Sequence, residues 1–217
     1  MMTSYLSRLQ RTIGAAFCLA LAAASAGCRE AAVAGPPPEA PVYSQHRVSF
    51  PAAHLPKLQL PSGGEREIGS LLNVAETMDY GDFVWNDEGV PDGKVWVLVD
   101  LKAQTMSVFK GKHEIATAVT LYGVDEKPTP IGRFPVIEKR KDHWSNLYDA
   151  PMPYTLRLTY DGVAIHGSDV RKGAGTHGCL GVPLEFGKRL FAEVKVGDEV
   201  VIVEDAKSLA PSAAEIG

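Results

Sequence analysis

Cysteine is scarce in this chain of 217 residues: there are three, none in a CxxC pair. Cys18 and Cys28 both fall near the N-terminus, so Cys179 has no obvious partner for a framework disulfide. Cationic excess is also missing. The formal net charge is -4, and sequence-blind binding of a polyanion rests on clustered Lys and Arg, so nucleic acid is excluded as a partner. No unbroken apolar run reaches the roughly 20 residues that a bilayer requires. Neither an internal repeat nor a glycine-rich phosphate loop is present. What remains is a chain that is 45% hydrophobic, enough to bury one ordinary core.

The first 28 residues read as an export signal, with Arg8 and Arg11, an Ala-rich apolar run from Ile13 to Leu21, and small residues up to Gly27. Ser25-Ala26-Gly27-Cys28 resembles the bacterial lipoprotein box, which implies lipidation of Cys28 and a membrane anchor. Ser25 stands where that box prefers Leu, and simple cleavage after Ala24-Ser25-Ala26 is the competing reading. Either way the expected address is exported and periplasmic. Removal of the leader takes away Cys18, and lipidation would occupy Cys28, leaving Cys179 as a lone exported thiol, which points to reactivity.

Residues 29–66 are rich in Ala and Pro and read as an extended tether. Residues 67–93 form an N-terminal extension in which Ile68, Leu71, Leu72 and Ala75 follow helical spacing, predicting one or two helical turns. Phe83, Val84 and Trp85 are expected to pack on the domain edge. The main domain is placed at 94–204, with a C-terminal tail at 205–217. Within it, strands are expected at Val95–Val99, Thr105–Phe109, Glu114–Leu121, Phe134–Ile137, Thr155–Leu158, Val163–His166 and Val200–Val203. Hairpins turn at Lys110-Gly111-Lys112 and Tyr160-Asp161-Gly162. Pro183 opens a helix whose apolar face is Leu184, Leu190, Phe191 and Val194. The fold class is mainly β, a sandwich or barrel-like domain with one main helix after Cys179.

The chemistry concentrates in Ile165-His166-Gly167-Ser168 and, after a short loop, Thr176-His177-Gly178-Cys179-Leu180-Gly181-Val182-Pro183. A free cysteine is only a few per cent thiolate at neutral pH, so a thiol nucleophile needs a base and donors for the developing oxyanion. On an extended chain His177 and Cys179 would point to one face, whereas His166 reaches the thiol only if the loop folds back. Either histidine could serve. Gly178 would let backbone N–H groups approach a carbonyl oxygen. His166, His177 and Cys179 could supply three zinc ligands, but no second cysteine accompanies them, and no metal or cofactor is called for.

This segment resembles the catalytic signature of the L,D-transpeptidase (YkuD-like) family: His-Gly, a loop, then Ser/Thr-His-Gly-Cys. The similarity runs from about Lys94 to Glu204, which makes the main domain a catalytic domain of this type. Lys127-Pro128-Thr129-Pro130-Ile131-Gly132-Arg133-Phe134 is similar to the family's Thr-Pro-x-Gly-x-Phe strand, and Asp149-Ala150-Pro151-Met152-Pro153-Tyr154 precedes the His-Gly strand. The resemblance implies an exported enzyme acting on peptidoglycan stem peptides. Cys179 would be the nucleophile, His166 the base and the Gly167 carbonyl its orienting group, with backbone donors at His177, Gly178 and Cys179. His177 would act directly or shape the loop, and Thr176 would pin the loop or touch substrate. Many relatives carry Arg or Asn two residues after the cysteine, where this chain has Gly181, so substrate carboxylates must be met elsewhere. Arg171 and Lys172 are the first candidates, Arg133 and Arg140 weaker ones, and Trp144, Tyr148 and Tyr154 could wall the groove. Hydrolysis of the same stems, or wall binding without catalysis, are the alternative outcomes.

Overall fold

The computed structural model describes residues 42–74, 76–123, 127–146 and 149–206. The leader, Cys28 and most of the C-terminal tail lie outside these residues, as does Tyr148. In chain order the strands begin with β1 (Val42–Tyr43), β2 (Arg47–Ser49), β3 (Lys57–Gln59), β4 (Glu65–Glu67), β5 (Ser70–Leu72) and β6 (Phe83–Trp85). They continue with β7 (Val95–Asp100), β8 (Thr105–Lys110), β9 (His113–Val119), β10 (Gly132–Pro135) and β11 (Glu138–Arg140). Then come β12 (Trp144–Ser145), β13 (Ala150–Pro151), β14 (Thr155–Arg157), β15 (Ala164–Ser168) and β16 (Leu180–Pro183). Helix α1 (Leu184–Glu193) and β17 (Glu199–Val203) complete the described fold.

A large sheet runs in the order β1-β2-β5-β9-β8-β7-β17-β10, with β6 also paired to β9. A second sheet has the order β11-β14-β15-β16. Alternation along β7 explains why its run is apolar throughout. Val95, Val97 and Val99 face the core between the two sheets, where they meet Leu156, Ile165, Leu180, Phe186 and Leu190, while Trp96 faces the opposite side. On that outer side Trp96 stacks on Phe109 at 4.2 Å and packs with Leu60, Ile68, Val201 and Val203. Covering each such side chain stabilises the fold by about 1.5–3 kcal/mol.

That second apolar layer corrects the tether expected over 29–66, because residues from Val42 onward form β1 to β4 and Leu60 is buried in the layer. Proline-rich composition hid short strands that gain their order from the sheet they cover. The helical turns expected around Leu71 are likewise absent: Ser70–Leu72 is β5, with burial alternating at Ser70 and Leu72. Arg47 on β2 fastens this extension to the main sheet, donating to the Glu114 carbonyl at 2.6 Å, the Asn86 carbonyl at 2.8 Å and the Ser70 hydroxyl at 3.0 Å. The boundary drawn at residue 94 therefore cuts a continuous sheet.

Helix α1 starts after Pro183, whose missing N–H costs nothing at a helix start. It buries Phe186, Gly187 and Leu190, whereas Leu184, expected on the apolar face, is 49% exposed. Phe83 and Trp85 of β6 meet the Phe186 ring edge-on, at 5.8 and 5.7 Å. At the other end of the helix, the Lys139 ammonium donates to the carbonyls of Phe191 and Val194, where the helix dipole favours a cation.

Candidate active site

The site stands at the start of β16, which runs parallel to β15 with Ile165 opposite Leu180 and His166 opposite Gly181. Strand β15 carries His166, and the helix behind it sets its position. A Cβ on Gly187 would lie 3.3 Å from the Gly167 Cα, and one on Gly167 would meet the Leu184 side chain at 2.9 Å. Glycine at 167 thus lets helix and strand close on each other directly behind His166. The Gly167 carbonyl is 3.0 Å from His166 Nδ1, which makes Nδ1–H the donor and leaves Nε2 as the basic nitrogen.

Cys179 reaches its place through a bend, not an extended strand. Gly178 has φ +93°, a conformation that favours glycine, so the expectation that His177 and Cys179 share an extended face does not hold. His177 is exposed while Cys179 is 8% exposed. Two hydroxyls pin the bend. The Thr176 hydroxyl donates to the Cys179 carbonyl at 2.5 Å, and the buried Thr129 hydroxyl donates to the Gly178 carbonyl at 3.1 Å while accepting from the Gly123 N–H at 2.8 Å. Gly123 packs so closely beneath that a Cβ on it would fall 2.3 Å from the Gly178 nitrogen.

Two arms of one groove meet at Cys179. The larger, about 270 Å³, is charged: Lys127, Glu138, Arg140, His143, Arg157 and Asp161 are among its lining residues, and His177 and Cys179 close its inner end. The smaller, about 200 Å³, carries no Lys, Arg, Asp or Glu; His166, Ser168, Thr176, His177 and Cys179 contribute to its wall. Ser145 and Met152 border both arms, so the hairpin of β12 and β13 forms their shared rim.

Burial dominates the electrostatics of the pair. It pushes the Cys179 thiol up, against a backbone hydrogen bond from Ala164 and the charge of Lys127. It pulls the His166 imidazole down, against the bond to the Gly167 carbonyl, and His143 adds to the lowering. Both shifts favour the neutral forms, and the Cys179 thiol is directed at the Gly162 carbonyl at 3.6 Å. Two neutral groups hold no preformed ion pair, so a proton would have to move if the thiol attacked.

Of the residues singled out in the sequence, the groove gathers His166, Thr176, His177, Cys179 and Trp144, with Gly167 and Gly178 in its backbone frame. Trp144 is 52% exposed and donates to Asp149 at 3.1 Å. Arg171 and Lys172 line neither arm; Arg171 faces solvent beside Asp169. Arg133 is held by Glu199 at 2.7 Å, and Tyr154 packs towards Phe191 at 5.9 Å. Arg140 does reach the charged arm, bound to Glu138 at 2.7 Å. Missing from the sequence reading were the roles of Gly123, Lys127, Thr129 and Ser168. Thr129 carried a signal, its place in the Thr-Pro-x-Gly-x-Phe stretch, whereas nothing local marks Gly123.

The backbone at Gly181 pairs with Leu121 through two bonds of 2.8 and 3.0 Å. A Cβ there would crowd the Ser168 Cβ at 3.1 Å and the Leu121 Cβ at 3.3 Å. Glycine at this position is thus matched to its neighbours.

Comparison with curated proteins gave no match. Among solved structures, similarity is found to an L,D-transpeptidase from Stackebrandtia nassauensis, at 24% identity and a TM-score of 0.49, covering 53% of this chain and 58% of that one. L,D-transpeptidase 1 of Mycobacterium tuberculosis is 23% identical with a TM-score of 0.45, covering 51% and 62%. The catalytic domain of the E. faecium enzyme is 29% identical with a TM-score of 0.43, covering 53% of this chain and all of that one. The chain thus spans less than two thirds of the length of the first two. Residues 94–202, half of the chain, match the family model of the L,D-transpeptidase catalytic domain, YkuD. That stretch begins just before β7, ends within β17 and contains every residue that lines the two arms at Cys179, and the chain belongs to the L,D-transpeptidase (YkuD) catalytic domain family.

Proposed function

We propose that the protein is a peptidoglycan L,D-transpeptidase, with Cys179 as nucleophile and His166 as general base. The observation that carries this reading is the position of the two groups on one groove wall, with His166 Nδ1 engaged by the Gly167 carbonyl so that Nε2 is the nitrogen left to take a proton. His166 accepts the thiol proton as sulfur attacks the carbonyl of the diaminopimelate residue before the terminal D-alanine. A C–S bond forms, and the backbone N–H groups at Gly178 and Cys179 stabilise the oxyanion. The C–N bond then breaks, and D-alanine leaves with the proton returned by the imidazolium. An acceptor amine attacks the thioester, gives a proton to His166 and expels the thiolate, completing the cross-link. Water in place of the amine would give a carboxypeptidase.

His177, exposed at the meeting of the two arms, shapes the loop or contacts substrate. Trp144 and Tyr148 are assigned to the rim and Thr176 to the loop. Export to the periplasm and anchoring by a lipid on Cys28 complete the reading. Purified tetrapeptide disaccharides incubated with the full chain should yield a thioester mass on Cys179 and then L,D-linked dimers. Absence of both, or an adduct that persists in Cys179→Ala, would overturn it, and palmitate labelling that survives Cys28→Ala would overturn the anchor.

A further inference from the structure

The charged arm of the groove holds several cations, and most are already engaged. Arg140 binds Glu138 at 2.7 Å, and Arg157 reaches the same carboxylate at 3.5 Å while donating to the Thr159 and Tyr160 carbonyls at 3.1 and 2.7 Å. Lys127 differs. It is half-buried, lines the arm together with Cys179, and makes no hydrogen bond or ion pair with any described residue. Its stem runs beside the bend that precedes the thiol: a Cβ on Gly178 would meet Lys127 Cγ at 3.4 Å, Cε at 3.5 Å and Cδ at 3.6 Å. Asp161 lies in the same arm, accepts a hydrogen bond from Thr159 and feels the charge of Lys127, without forming an ion pair with it.

We propose that Lys127 is a specificity-determining residue that binds the terminal carboxylate of the amino acid expelled when the thioester forms. This rests on the transfer reaction proposed above. In that reaction the expelled residue has only its nitrogen and Cα between the scissile carbonyl and a free carboxylate, so the charge lies about one residue length, ~3.8 Å, beyond the reacting carbon. A cation in the arm that Cys179 lines can select a chain end over an internal peptide bond. A half-buried lysine with no hydrogen bond or ion pair among the described residues is suited to this, since its ammonium can make a charge-assisted bond to a carboxylate. Lys127 also answers the loss of a polar side chain at Gly181, from the opposite side of Cys179 in sequence.

The test uses the full chain carrying Cys179→Ala, which binds without reacting, and two stem tetrapeptides that differ only in a C-terminal carboxylate or carboxamide. Calorimetry should show the acid binding about 10-fold tighter than the amide. Adding Lys127→Met should reduce that preference to about twofold or less through weaker binding of the acid alone, and Lys127→Arg should restore most of it. An unchanged preference in Lys127→Met, or equal weakening of both peptides, refutes the assignment. Thioester formation on the wild-type chain is scored separately by mass. A Lys127-dependent preference without any thioester would refute transfer and leave the carboxylate site standing, whereas a thioester with an unchanged preference refutes the carboxylate site alone.

Discussion

Replacing Thr129 by Val removes one hydroxyl and keeps the shape of the side chain. That hydroxyl is buried and bridges two segments, accepting from the Gly123 N–H and donating to the Gly178 carbonyl. In the variant both backbone groups lose this partner, and an unsatisfied buried polar group costs about 1–3 kcal/mol. Two such groups, offset in part by the added methyl, give an expected loss of about 2–4 kcal/mol in unfolding free energy. Thr129→Ser keeps the bridge and should lose only about 1 kcal/mol. The kinetic consequence follows from location, because Gly178 immediately precedes Cys179, the nucleophile proposed above. Removing an oxyanion donor outright costs about 100- to 1,000-fold in turnover, and loosening its support should cost less, about 10- to 100-fold in the rate of Cys179 acylation by a carbapenem. Urea unfolding followed by tryptophan fluorescence gives the stability, and intact-protein mass spectrometry the acylation rate. A Val variant within 0.5 kcal/mol of wild type, or a Ser variant as slow to acylate as Val, would refute the bridging role.

Iodoacetamide alkylation of Cys179 between pH 5 and 10 should keep accelerating beyond the ordinary thiol value near 8.5, because burial raises the thiol. The acid limb of acylation should fall below the ordinary imidazole value near 6.5, since a depressed His166 stays neutral, and competent as a base, to lower pH. A thiol midpoint well below 8.5 would instead indicate a preformed ion pair. Arg171→Ala with Lys172→Ala should acylate within twofold of wild type and change stability by less than about 0.5 kcal/mol, because both side chains are exposed and Arg171 pairs only across an exposed 3.4 Å contact with Asp169. A tenfold loss in acylation would restore them to the site.

Strands β7, β8, β9, β14, β15 and β17 were legible because their cues are local, whereas the short β11, β12, β13 and β16 were not expected. Val95–Val99 is apolar throughout, and Gly111 and Gly162 mark the two hairpins. The His166 to Cys179 segment was legible for a similar reason, as thiol, imidazole and glycine lie close in sequence. Strands β1 to β5 were not. Their order comes from contacts far along the chain, such as Arg47 with the Glu114 carbonyl and Leu60 with the layer around Trp96, and none of these leaves a periodic trace in a short, proline-rich stretch. The same limit explains Lys172 and Lys127. Sequence proximity to the motif favoured the former, whereas the latter lies 52 residues before Cys179 and reaches the groove only through the packing of Gly123 beneath Gly178.

The crowding at Gly181 couples that position to Ser168 and Leu121. A Cβ at 181 would sit 3.1 Å from the Ser168 Cβ and 3.3 Å from the Leu121 Cβ, so a larger residue there asks its neighbours to give by a few tenths of an ångström, and a smaller residue at 168 would ease it. A change at either position therefore alters the room available at the other.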